Sequence, residues 1–159
     1  MNPSQASGSA KETAFVTGAA SGIGLAEDGF RVALLDQNPD AIWKAAASLQ
    51  GEGWDAIAHA ADIQDRPAIA ASLSAEARID VMVCAAGIAP MHSFLGITKE
   101  DLHTAVNVSP LGTFICCEEA TRRISPTSVS PLARKKPAGL ASCGLLSKTL
   151  EGLDFWCLA

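Results

Sequence analysis

Short runs of consecutive apolar residues recur along this chain, and each is followed by glycine, proline or an acidic residue. They are Thr13 to Val16, Arg31 to Asp36 (RVALLD), Trp54 to Ala61 and Ile79 to Cys84 (IDVMVC). A near-continuous apolar run lacks the in–out alternation of a strand with one wet face, so each reads as a strand buried on both faces. Helical signals lie between these runs. Asn38-Pro39-Asp40 is a start signal with proline in the first turn, Ala41 to Gln50 is Ala-rich, and Gly51 and Gly53 end it. Asp65 to Ala77 reads as a second helix. Thr98 is an expected N-cap for a helix over Glu100 to Val106, and Leu111 to Ile124 reads as a fourth helix. Pro126 and Pro131 then interrupt regular structure, and Leu140 to Leu153 carries weak helical periodicity.

Apolar strands alternating with helices predict an α/β fold, a parallel sheet covered on both faces. Ligands of such sheets bind at the carboxyl ends of the strands. Four signals converge on that edge: the glycine turn Thr17-Gly18-Ala19-Ala20-Ser21-Gly22-Ile23-Gly24, Asp36, Asp62, and Ala85-Ala86-Gly87. Glycines 18, 22 and 24 allow a tight turn and close approach to a ligand, and amides at a following helix start face an anion such as a dinucleotide pyrophosphate. The turn stands directly after a strand, which is where that mechanism needs it.

Composition narrows the picture. The chain has 159 residues, 48% of them hydrophobic and 18% charged, which is globular composition. Residues 1–12 are polar and read as a loose tail, and 13–159 as one domain that is degenerate after about residue 124. The net charge of −5 argues against a nucleic-acid partner. No run approaches the roughly 18 apolar residues of a membrane span, so no membrane is expected. Five cysteines (84, 116, 117, 143, 157) without paired spacing point to reduced, buried thiols in a cytoplasmic protein. Histidines 59, 92 and 103 have no ligand spacing near them, so no metal is expected.

TGAASGIG (17–24) with an acidic strand end downstream, ADI at 61–63, VCAAG at 83–87, and Val106-Asn107-Val108 followed by Gly112-Thr113-Phe114 together resemble the short-chain dehydrogenase/reductase family. The resemblance runs from about Thr13 to about Leu153 and fades after Ile124. It implies a Rossmann-type doubly wound parallel sheet, here incomplete, and NAD(P)-dependent redox chemistry on an alcohol or ketone. Gly18, Ser21, Gly22, Ile23 and Gly24 are then expected to hold the pyrophosphate, and Asp36 to accept from the adenosine ribose hydroxyls. Asp62 and Ile63 are expected at the adenine, and Ala86 and Gly87 where the cofactor passes the fourth strand. A carboxylate at Asp36 repels a 2′-phosphate, and neither Arg nor Lys occupies 17–24 or 37, which favours NAD over NADP. Asn107, Ser128 and Lys148 match the family's catalytic Asn, Ser and Lys, with two extra residues between Asn107 and Gly112. The family also forms homo-oligomers.

Three departures complicate the expectation. The family's general acid/base is a tyrosine four residues before the lysine, and this chain has none; Gly144 stands there, beside Cys143. Cys84-Ala85 replaces the paired asparagines that brace the sheet end, which removes hydrogen-bonding groups. Thirteen residues separate Val16 from Phe30, and the glycine turn consumes most of them. The four that remain span roughly 6 Å as helix, against about 17 Å for a five-residue strand. A normal crossover helix therefore does not fit, apolar surface is expected to be exposed beside it, and the chain is expected to stop short of a further strand. Two alternatives to an active oxidoreductase stay open: a catalytically inactive dinucleotide-binding module, or an incomplete, poorly folded gene product.

Overall fold

A computed structural model describes residues 11–21, 26, 28–89, 93–123 and 155–157. Its centre is a parallel sheet of five strands: β1 (Thr13–Thr17), β2 (Arg31–Asp36), β3 (Ala56–Ala60), β4 (Val81–Cys84) and β5 (Phe155–Cys157). They lie side by side in the order β3-β2-β1-β4-β5, every pairing parallel. The α-helices among the described residues are α1 (Pro39–Gly51), α2 (Arg66–Ala75), α3 (Lys99–Val106) and α4 (Gly112–Thr121).

The continuous apolar runs are explained by burial on both faces. Ala14, Val16, Val32, Leu34, Val81 and Val83 point to one face and pack with Ile42 and Ala46 of α1. Phe15, Ala33, Leu35, Met82 and Cys84, the alternate positions, point to the other and pack with Ile69 and Leu73 of α2 and Cys116, Cys117 and Ala120 of α4. The helices begin where side-chain caps replace missing backbone acceptors. Asn38 Oδ1 accepts from Ala41 N at 3.1 Å, Asp65 Oδ1 from Ala68 N at 3.1 Å, and Thr98 with Asp101 forms a reciprocal capping box. After α1, Gly53 takes φ +90°, a left-handed turn that admits glycine without strain.

The connection from β1 to β2 agrees with expectation in its lack of a normal helix and differs in what covers the sheet. The strands pair in parallel with Thr13 beside Arg31, and the described residues between them hold a 3₁₀ turn (Ala19–Ser21) and no α-helix. Among the described residues the apolar exposure expected beside so short a crossover is not found: Ala14, Val16, Val81 and Val83 are all buried, with Ala19, Ala26 and Phe30 in the same cluster. Among the described residues, several exposed large apolar side chains lie on α3 and the segment from Leu111 to Phe114, among them Leu102, Val106, Leu111 and Phe114, and Trp43 is exposed on α1. A second correction concerns the far edge. A further strand is present, since Phe155, Trp156 and Cys157 pair with Met82, Val83 and Cys84. Leu140 to Leu153 lies outside the described residues.

Buried charges tie the amino ends of the strands together. Asp80 is fully buried; its Oδ2 accepts from Thr13 N at 2.9 Å, its own N–H donates to Thr13 O, and its Oδ1 accepts from Arg78 Nε at 2.6 Å. Glu76, also buried, accepts from Arg31 at 3.2 Å and meets His59 Nε2 at 2.8 Å, while the His59 ring stacks on Phe15. On the surface, Arg66 of α2 bridges Glu118 and Glu119 of α4. Hydrogen bonds from Arg66 and Arg122 hold the Glu118 carboxyl below its ordinary range, and Arg66 is raised in return.

Asp80→Ala leaves Thr13 N without its side-chain acceptor inside the sheet. The expected loss is about 1–3 kcal/mol of unfolding free energy, measured by urea titration. The Glu118 pair gives a pH dependence of known sign. A carboxyl depressed in the folded state contributes stability above its unfolded pKa, and the contribution disappears as pH falls through the folded value. Glu118→Gln therefore costs stability at neutral pH and flattens the decline of Tm below the usual glutamate range; an unchanged acid profile contradicts the pairing.

Candidate functional site

The carboxyl ends of β1 to β4 open onto a cavity of about 460 Å³. Its floor is the junction of β1 and β4. Gly18 follows β1 with φ +68°, and a Cβ there would stand 2.6 Å from Ala86 Cα and 2.7 Å from Ala86 N. Both neighbours are backbone atoms, so no rotamer change relieves the clash; glycine is dictated twice, by conformation and by contact. Thr17, buried at the end of β1, fixes the same junction. Its Oγ1 accepts from Ala85 N and from Ala86 N, each at 3.2 Å. These bonds brace the sheet end at the position where Cys84-Ala85 predicted lost bracing.

The wall on the β2 side carries a carboxylate. Asp36 ends β2 and lines the cavity; its Oδ2 accepts from Ala20 N at 3.3 Å and its Oδ1 from Asn38 N at 3.0 Å. The side chain thus links the turn after β1 to the start of α1. The second carboxylate, Asp62, follows β3; its Oδ1 accepts from Gln64 N at 2.9 Å, an Asx-type turn that presents Ile63 and Gln64 to the cavity. Ile63 is nearly buried and lies against Gly112, where a Cβ would meet Ile63 Cδ1 at 2.5 Å. Among the described residues no Lys or Arg lines the cavity, so its formal charges are Asp36 and Asp62.

The remaining wall comes from Ala85 to Ile88 together with Thr104 and Val108. The two residues that appear extra between Asn107 and Gly112 are taken up as a π-helix, Asn107–Leu111, whose wider turn lets the Gly112 N–H reach Asn107 O. Pro110, which has no N–H to donate, sits inside this turn. The π turn sets Ser109 against the loop after β4: Ser109 Oγ accepts from Ile88 N at 3.1 Å and donates to Ile88 O at 3.2 Å. It also stands 3.2 Å from where a Cβ on Gly87 would be.

The structure thus brings Gly18, Asp36, Asp62, Ile63, Ala86 and Gly87 around one cavity. Ser21 belongs to the adjoining 3₁₀ turn. Gly22, Ile23 and Gly24 lie outside the described residues, as do Ser128 and Lys148. Asn107 is exposed at the head of the π-helix, and the wall nearby is made by Thr104 and Val108 instead. Sequence reasoning missed Thr17, Gln37, Gln64, Thr104 and Ser109. A buried threonine just before a glycine turn is a signal for the first; the inserted pair before Gly112 is the signal for the last. Among the described residues no helix is long and apolar enough to cross a membrane.

Comparison with known proteins agrees with this geometry. The short chain dehydrogenase family model matches residues 12–129. A short-chain dehydrogenase/reductase of Armillaria gallica is 36% identical over 123 residues, covering 70% of this chain and 47% of that protein. The D-threitol dehydrogenase of Mycolicibacterium smegmatis is 32% identical, covering 71% of this chain and 47% of its own length. Among solved structures, a 3-oxoacyl-[acyl-carrier protein] reductase from Brucella melitensis with bound NAD superposes with a TM-score of 0.61 at 27% identity, over 70% of this chain and 47% of that one. The chain spans about half the length of the curated relatives it matches. With its 3-2-1-4-5 parallel sheet, its glycine turn packed on the fourth strand and these relatives, the chain belongs to the short-chain dehydrogenase family of oxidoreductases.

Proposed function

We propose that the cavity binds a nicotinamide dinucleotide, NAD in preference to NADP, for hydride transfer to or from an alcohol or ketone. The observation that carries this reading is the close approach of Gly18 to Ala86, beside the Asp36 carboxylate. The residues fit the group. Gly18 lines the cavity without a side chain, as the close passage of a dinucleotide pyrophosphate requires. Asp36 keeps acceptor capacity beyond its two backbone bonds, because a carboxylate offers about four lone-pair sites. A 2′-phosphate would meet Asp36 and Asp62 with no cation of the described cavity wall to offset the repulsion.

When bound, the nicotinamide supplies or accepts the hydride. The chain's own residues hold and orient it. Thr17 and Gly18 fix the β1–β4 junction, Ser109 fixes Ile88, and Ile63 with Gln64 closes the β3 side. The proton that accompanies hydride transfer needs a donor, and the chain has no tyrosine. That absence favours a second reading, in which the site binds dinucleotide without turnover. Asn107, Ser128 and Lys148 are the residues proposed to act if turnover occurs.

Titration of the full chain with NADH, followed by thermal shift and by nicotinamide fluorescence, tests the reading. Ligand at a hundred times Kd adds about 2.7 kcal/mol of stability. Stabilisation by NADH and weaker stabilisation by NADPH are expected; no shift at millimolar NADH defeats the proposal. Asp36→Asn removes the charge and one of the two acceptor oxygens, so either Ala20 N or Asn38 N loses its partner. The variant is expected to weaken NADH binding about tenfold and narrow the NADH/NADPH preference, while Lys44→Ala, on the exposed side of α1, changes neither. A substrate panel run alongside separates the two readings, since binding without turnover selects the second. Ser109→Ala removes both bonds to Ile88 at a cost of about 1 kcal/mol. NADH affinity should fall severalfold and Tm by about 2–4 °C; unchanged affinity removes Ser109 from the site.

A further inference from the structure

Cys84 and Cys117 lie outside the machinery described above, yet their geometry is specific. Cys84 is the last residue of β4, and the two residues after it line the cavity. Cys117 is on α4, which packs on the same sheet face. Their sulfurs stand 3.7 Å apart and form a buried thiol–thiol hydrogen bond. Cys116, next in sequence, turns elsewhere on the helix and is fully buried.

We propose that Cys84 and Cys117 form an oxidative modification site, a dithiol that hydrogen peroxide or another small hydroperoxide converts to a disulfide joining the end of β4 to α4. A disulfide requires the sulfurs to close from 3.7 Å to about 2.0 Å. The hydrogen bond from Cys84 holds Cys117 below the ordinary thiol range against the effect of burial, whereas burial pushes Cys116 up to about 12. Of the two adjacent helix thiols, Cys117 is therefore the nucleophile. Ala85, the residue that follows Cys84, lines the cavity.

The chemistry balances without a further reagent. The Cys117 thiolate attacks one peroxide oxygen and the O–O bond breaks. The departing hydroxide takes the thiol proton and leaves as water, and Cys117 becomes a sulfenic acid. The Cys84 sulfur then attacks the Cys117 sulfur. The S–O bond breaks, and the second hydroxide takes the Cys84 proton and leaves as water. Two thiols and one hydrogen peroxide give one disulfide and two waters; the sulfurs together lose two electrons and the peroxide gains them.

The test uses the reduced full chain, exposed to equimolar hydrogen peroxide, quenched in acid, alkylated, digested with trypsin and mapped by mass spectrometry. The tryptic peptides ending at Lys99 and Arg122 carry Cys84 and the Cys116-Cys117 pair. A cross-linked pair of these peptides is expected, lighter by two hydrogens than their sum and reversed by dithiothreitol, with Cys116 still alkylated. A Cys116→Ala variant retains the link; Cys117→Ser abolishes it. Full alkylation of Cys84 or Cys117 after oxidation, over-oxidation of Cys117 without a link, or a link from Cys84 to Cys143 or to its strand neighbour Cys157 overturns the proposal. The mapping contains no dinucleotide, so its outcome is independent of the cofactor reading.

Discussion

Everything on the carboxyl edge of this sheet depends on how closely the chain leaving β1 can lie against the chain leaving β4. At Gly18 the gap leaves no room for a methyl group, since the nearest atoms are the backbone of Ala86. One residue earlier, Thr17 spends its hydroxyl oxygen on the amides of Ala85 and Ala86. The two contacts act together: the glycine permits the approach and the threonine holds it. Asp36 extends the arrangement sideways by accepting from Ala20, so the turn is pinned from β2 as well as from β4. A cavity bounded by four strand ends follows in part from those few bonds, with residues of α3 and the π turn finishing it.

Much of this was readable from residue order because two-sided burial leaves a strong imprint. Strands β1 and β2 are legible because both their faces must be apolar, and α1 and α2 because Asn38 and Asp65 announce their first turns. What escaped reading has a different physical origin. The π-helix at Asn107–Leu111 answers an irregular spacing, and periodicity rules assume regular turns. Ser109 reaches Ile88 only because of that irregularity, so its role is invisible without the backbone path. The β1–β2 connection misled in the opposite sense. A standard helix does not fit thirteen residues, but Ala19, Ala26 and Phe30 still close over the sheet face, so a short connection did not mean a bare one. Strand β5 escaped because three residues give too little pattern to read.

The same economy separates the parts of the molecule that set position from those that could react. The groups that fix the cavity are backbone amides and small hydroxyls, and they hold shape whether or not chemistry follows. The reactive side chains named by family resemblance, Ser128 and Lys148, come from a later part of the chain, and tyrosine is missing from all of it. The residues that shape the cavity and two of the three side chains proposed to react, Ser128 and Lys148, thus come from different stretches of sequence. Cys84 illustrates the exchange in the opposite direction, since replacing a bracing residue by a thiol set it within contact distance of Cys117.

The order of the strands has a temporal meaning. β1 is made first yet sits in the interior of the sheet, between β2 and β4. Its partner Asp80 lies 67 residues further along, past two other strands and two helices. During synthesis, β1 can pair on one side soon after Asp36 emerges, but its other edge stays open until β4 arrives. Long-range parallel pairing of this kind is slow, and an apolar strand with an open edge is a docking point for other chains meanwhile. The feature that gives the finished protein its central seam is thus one that leaves the nascent chain with an open apolar edge until β4 has been made.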